Sequence, residues 1–119
     1  MLMNRFVVMA AIAVLAGSAG TAAADVVGNA RAAQGKVAMC IGCHGIPGYR
    51  AAFPQVYKVP MLGGQNAKYL ENALQGYKKG SRKFAPMEAI AKSLTDQDIA
   101  DLAAYYAAQT PESQPNPQR

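Results

Sequence analysis

A chain of 119 residues that is 51% hydrophobic and carries a formal charge of +5 has the composition of one small folded domain, not of a disordered or multi-domain protein. Two cysteines and one histidine are too few for a four-ligand structural zinc site. The basic balance is modest and no basic stretch is interleaved with aromatics, which argues against a nucleic-acid partner and suits docking to acidic protein surfaces or anionic membranes.

At the N-terminus, Arg5 precedes the apolar run Phe6 to Ala16, and small residues follow as far as Ala22-Ala23-Ala24. This pattern predicts a secretory signal peptide over residues 1–24, cleaved before Asp25. The apolar run is short for a bilayer span, so a retained anchor is the weaker alternative and no membrane span is expected after cleavage. Loss of Arg5 lowers the charge to +4 on a soluble, periplasmic chain of 95 residues. The folded domain is expected over residues 25–110, and so small a domain buries a limited share of its surface.

The first helix is predicted from about Asn29 through the segment Cys40-Ile41-Gly42-Cys43-His44, with Ala32, Ala33, Val37, Ala38 and Ile41 as apolar contributors. That segment holds both cysteines and the sole histidine, in the order C-x-x-C-H that reads as covalent attachment of a c-type haem. Two thiols three positions apart on a helical turn point to one side and suit the two vinyl groups of one porphyrin edge. The adjacent His44 then offers its imidazole as an axial ligand to iron. A thioredoxin-like pair would need a strand–helix–strand context that the sequence lacks. A structural disulfide leaves the histidine without a purpose.

From Gly45 to Gly64 the prolines at 47, 54 and 60 exclude a regular helix. So long a loop in a small domain calls for a reason. Tyr49, Phe53, Val56, Tyr57, Val59 and Leu62 give it apolar surface to lay against a flat ring, or alternatively to cover the core. Next, Leu70, Ala73, Leu74 and Tyr77 form the stripe of an amphipathic helix with Asn66 as its cap and Gly80 as its stop. A short helix follows around Pro86-Met87. The last helix is capped by Thr95, carries Asp96 and Asp98 in its first turn, and shows the stripe Ile99, Leu102, Ala103 and Tyr106. Residues 111–119 read as a disordered tail rich in Pro, Gln and Asn. No strand is predicted, so the fold class is all-α.

One axial histidine leaves the second iron position to methionine, lysine, water or an open site. Met39 lies beside Cys40 on the proximal helix and would have to cross the ring plane. Met61 and Met87, both in or beside proline-containing irregular segments, remain as candidates.

Four segments in order, Cys40-Ile41-Gly42-Cys43-His44-Gly45, Pro60-Met61-Leu62-Gly63-Gly64-Gln65, Pro86-Met87-Glu88-Ala89-Ile90-Ala91 and Leu94 to Tyr106, make the chain resemble the class I cytochromes c of the small soluble bacterial monohaem type. The resemblance implies a small cytochrome c fold of three main helices, a short helix and long loops around one haem c bound through Cys40 and Cys43. It implies that the Pro60 carbonyl accepts a hydrogen bond from His44, that Leu62 packs on the ring, and that Met87 is the distal ligand. Where the family has a glycine at the crossing of its first and last helices, the chain offers Gly35, nearer the motif, with Ala33 at the crossing and Tyr105 or Tyr106 filling a slightly wider contact.

Histidine and methionine together saturate the iron, which implies an electron carrier between redox proteins and no enzyme activity. The cluster Lys78, Lys79, Arg82 and Lys83 is a candidate docking patch, with a solvated helix end as the rival reading. A cytochrome subunit of a periplasmic dehydrogenase or oxidase complex is the alternative to a free, monomeric shuttle. An open-site haem enzyme or sensor is the third reading.

Overall fold

In the computed structural model, which describes residues 25–110 and 112–113, the N-terminal segment is helical in two pieces. The expected signal peptide, and the tail from residue 111 apart from Glu112 and Ser113, lie outside the described residues. A 3-10 turn at Ala32–Gly35 leads into α1 (Ala38–His44). Asn29 starts the turn by accepting from the backbone of Arg31 and Ala32 through its side-chain oxygen. Bonds to the third and fourth preceding carbonyl then alternate, as Lys36 and Val37 both donate to Ala33. The single long helix expected from Asn29 is therefore divided, because so weak an apolar pattern anchors only Ala33 and Val37 in the core.

The proline-rich loop carries a feature the sequence did not announce, an antiparallel pair β1 (Arg50–Ala51) and β2 (Tyr57–Lys58) with Ala51 opposite Tyr57. Strands of two residues are too short for alternation to register as a pattern. α2 (Ala67–Lys79) follows as expected. Asn66 accepts from the Tyr69 backbone, and Gly80 closes the helix with φ of 79°, a left-handed conformation that glycine adopts without strain. α3 (Ala85–Lys92) carries Pro86 and Met87 in its first turn, so Met87 stands in a helix and not in an irregular segment. α4 (Asp96–Ala107) begins with a reciprocal cap between Thr95 and Asp98. Ile99, Leu102, Ala103 and Tyr106 of α4 form the core with Val37, Leu70 and Leu94. The domain is thus all-α, with α2 packed on both α3 and α4.

Asp101 fastens the N-terminal segment to α4. Its buried carboxylate accepts from the Asn29 backbone at 2.8 Å, from Gln97 at 2.8 Å and from Lys36 at 3.0 Å. Lys36 also pairs with Asp98 at 2.5 Å. The close crossing itself falls at Gly28, not at Gly35 or Ala33. A Cβ on Gly28 would lie 2.2 Å from the Ala100 carbonyl oxygen, whereas one on Gly35 meets nothing within 4 Å. The backbones therefore approach closely at a residue outside any helix, which is why helix periodicity did not reveal it.

Gly28→Ala is expected to destabilise the protein by about 2 kcal/mol, since backbone must move, while Gly35→Ala leaves stability level or raises it by about 0.5 kcal/mol; thermal unfolding followed by circular dichroism compares them. Lys36 first, then the Thr95 backbone, holds the Asp98 carboxyl down at about 2. The Asn29 backbone and Gln97 lower Asp101. A depressed carboxylate contributes stability above its unfolded value near 3.9 that is lost as pH falls through the folded one. Denaturation midpoints should fall between about pH 4 and 2, and Asp98→Asn should flatten that fall.

Candidate functional site

The helices and the hairpin loop enclose a cavity of about 320 Å³. α1 contributes Met39, Cys40, Cys43 and His44 to its wall. The loop adds Tyr57, Val59, Pro60 and Leu62, and α2 adds Leu70, Leu74 and Tyr77. Phe84, Met87 and Ile90 close another side, with Leu102 and Tyr106 from α4 behind. Tyr57 and Phe84 touch, with ring centroids 4.9 Å apart. Apolar and aromatic walls of this extent fit a flat hydrophobic group.

His44 is fixed by one short hydrogen bond, Nδ1 to the Pro60 carbonyl oxygen at 2.6 Å. A carbonyl only accepts, so Nδ1 carries the proton and the neutral ring keeps its lone pair on Nε2, the tautomer a metal ligand requires. The loop that supplies Pro60 is itself tied to α4, because Gly64 donates to the Tyr106 carbonyl at 2.8 Å. Gly63 has the Gln109 side chain over it, so close that a Cβ there would lie 2.8 Å from its Oε1.

Cys40 and Cys43 are both free, so the disulfide reading does not hold in this structure. Their surroundings differ. Burial pushes the Cys40 thiol up, while Cys43 is exposed. Tyr106 is pushed upward too, by burial first and by Cys40 next. Its buried hydroxyl has no hydrogen-bond partner, a polar atom left at the cavity wall for whatever the cavity holds. Among the described residues no cluster of three His, Cys, Asp or Glu side chains could hold a metal ion by itself.

Two thiols and an imidazole on one helix, facing an apolar cavity, fit a porphyrin. Cys40, Cys43, His44, Pro60, Leu62 and Met87 all line this one space. Met61 is 50% exposed and takes no part in the lining. Of the loop residues expected against the ring, Tyr57, Val59 and Leu62 are there. Phe53 and Val56 instead point to solvent, 84% and 70% exposed, and Tyr49 is not in the lining. Tyr57, the first residue of β2, lines the cavity, whereas Val56 just ahead of the strand does not. Sequence reasoning also missed Phe84, whose signal was its place as the residue just ahead of the helix that bears Met87.

The cytochrome c family model matches residues 30–108. The chain is similar to cytochrome c-554(548) of Halomonas halodenitrificans, 44% identical over 85 residues that cover 69% of this chain and 98% of that one. It is similar also to cytochrome c4 of Azotobacter vinelandii, 39% identical over 100 residues, 76% of this chain and 46% of the relative. Among solved structures, reduced cytochrome c4 from Pseudomonas stutzeri aligns with a TM-score of 0.57 and 40% identity, over 71% of this chain and 47% of that one. The chain thus matches nearly the whole of one relative and less than half the length of the cytochromes c4.

A chain carrying Cys40→Ala and Cys43→Ala is expected to hold no covalent group and to lose much of its helix signal, because a group bound only by the folded state contributes its binding energy to stability. Intact mass and far-ultraviolet circular dichroism read the two effects.

Proposed function

The chain belongs to the cytochrome c family, and from that premise we propose that it is an exported, periplasmic shuttle carrying one electron at a time between redox proteins, with His44 and Met87 as the axial ligands of its iron. It is a small class I c-type cytochrome with one haem c attached through Cys40 and Cys43. Bound there, haem would supply one-electron chemistry, at a potential that a thioether ligand would raise.

The rest of the reading concerns what the chain's own residues do. The hydrogen bond from His44 Nδ1 to Pro60 is the observation that carries it, since it presents Nε2 to the cavity in a fixed orientation. Met87 supports the second ligand position because it stands in the cavity wall, whereas Met61 does not. With both side chains bound to iron, no coordination site would be left for a substrate, which supports a carrier over an enzyme. Leu62, Tyr57 and Phe84 keep water from the site and lower the local dielectric. Among the described residues no helix is long and apolar enough to cross a membrane. We assign residues 1–24 to a cleaved signal and residues 25–110 to the cytochrome domain, and expect a monomer.

Optical spectra of the purified holoprotein test the ligands. The oxidised protein should show the weak long-wavelength band of sulfur-to-iron charge transfer, lost in Met87→Ala and kept in Met61→Ala. The reduced wild type should bind carbon monoxide poorly and Met87→Ala readily. Rapid binding by the wild type would favour the open-site enzyme or sensor instead.

A further inference from the structure

Among the described residues Tyr106 is the one buried side chain whose polar atom is left unpaired. It is 6% exposed, and its hydroxyl meets no hydrogen-bond partner. The ring has little freedom to carry that hydroxyl elsewhere. Its backbone carbonyl, in α4, accepts from Gly64 at 2.8 Å and from Gln109 at 3.2 Å, and Tyr105 stands against it edge-on with ring centroids 5.2 Å apart. Phenylalanine would fill the same space without the polar atom, so the hydroxyl is a cost to the fold unless the cavity supplies a partner.

The surroundings say where that partner lies. Tyr106 lines the cavity, and Cys40 both lines it and packs against the core cluster that contains Tyr106. Of the cavity residues, Cys40 acts most strongly on the hydroxyl. Haem attachment then fixes the direction of any bond between them. A thiol can donate or accept. When its sulfur bonds to one vinyl carbon and its hydrogen passes to the neighbouring carbon, the thioether that results has no S–H and only accepts. The Tyr106 hydroxyl is left as the sole donor of the pair. The other polar atoms of a haem do not compete, because the pyrrole nitrogens commit their lone pairs to iron and the propionates occupy the porphyrin edge opposite the vinyl groups.

We propose that in the holoprotein the Tyr106 hydroxyl donates a hydrogen bond to the Cys40 thioether sulfur, which makes Tyr106 a cofactor-positioning residue and the two thioether links unlike. This rests on the reading that haem is attached through Cys40 and is independent of which side chain is the second axial ligand. The Cys43 link, at the exposed position, is left to solvent. A donor on the Cys40 sulfur draws electron density from the porphyrin edge, which favours the reduced state and raises the reduction potential.

Resonance Raman spectra of the holoprotein, with cysteine labelled by sulfur-34 to mark the carbon–sulfur stretches, test the contact. Tyr106→Phe, which keeps the ring, should shift one of these bands, leave the other in place and lower the midpoint potential. Made together with Cys43→Ala, so that Cys40 alone holds the haem, it should shift the band that remains; made together with Cys40→Ala it should shift none. In infrared spectra of protein labelled with carbon-13 at the tyrosine carbon that bears the hydroxyl, the band lost in Tyr106→Phe should be that of a donating phenol. Carbon–sulfur bands unshifted by Tyr106→Phe would overturn the proposal, whether the phenol band proves to be that of a free hydroxyl or of one bonded to a trapped water. Absence of covalent haem from the wild type, read by intact mass, would instead remove the reading beneath it.

Discussion

The hydrogen bond of 2.6 Å between His44 and the Pro60 carbonyl joins two parts of the chain that have no other reason to meet, and most of the fold serves to bring its ends together. His44 stands at the end of α1, whose approach is fixed by Ala33 and Val37 buried in the core. Pro60 stands in a loop held by Gly64 on the Tyr106 carbonyl. Both routes lead back to α4, which carries the buried side chains at one end and that carbonyl at the other. The Asp101 carboxylate secures the arrangement by holding the Asn29 backbone and Lys36 together. Removing one member would leave a buried charge short of partners, which is more costly than the bond itself is stabilising.

Local features of this design were legible in the sequence and distant ones were not. The C-x-x-C-H segment is complete within five residues, and the caps at Asn66 and Thr95 act within three. The Pro60 contact spans sixteen positions and was anticipated only through resemblance to a family. Between Met61 and Met87 the residues alone gave no decision, because both adjoin prolines. What separates them is burial, and burial depends on the whole fold. Gly28 escaped notice for a related reason. Its constraint comes from the Ala100 carbonyl, more than seventy positions away. The hairpin at Arg50 and Tyr57 was invisible to periodicity, yet it holds Tyr57 opposite Ala51, and both line the cavity.

Charge followed the same rule. Read along the sequence, the four cations ahead of Met87 form a single patch. In three dimensions Asp96 accepts from both Gln75 and Lys78, which ties α2 to the start of α4 and neutralises part of that patch. Arg82 lies over Tyr77. The cationic surface is therefore smaller than the sequence advertises, and any steering it could give weakens accordingly.

The same division bears on what sets the potential. A site walled by Leu62, Leu70, Leu74 and Ile90 disfavours added charge through its low dielectric, which penalises the oxidised state. A sulfur ligand such as the one proposed at Met87 would act in the same direction. Lysines on the surface contribute little by comparison, since water and salt screen them within about 10 Å.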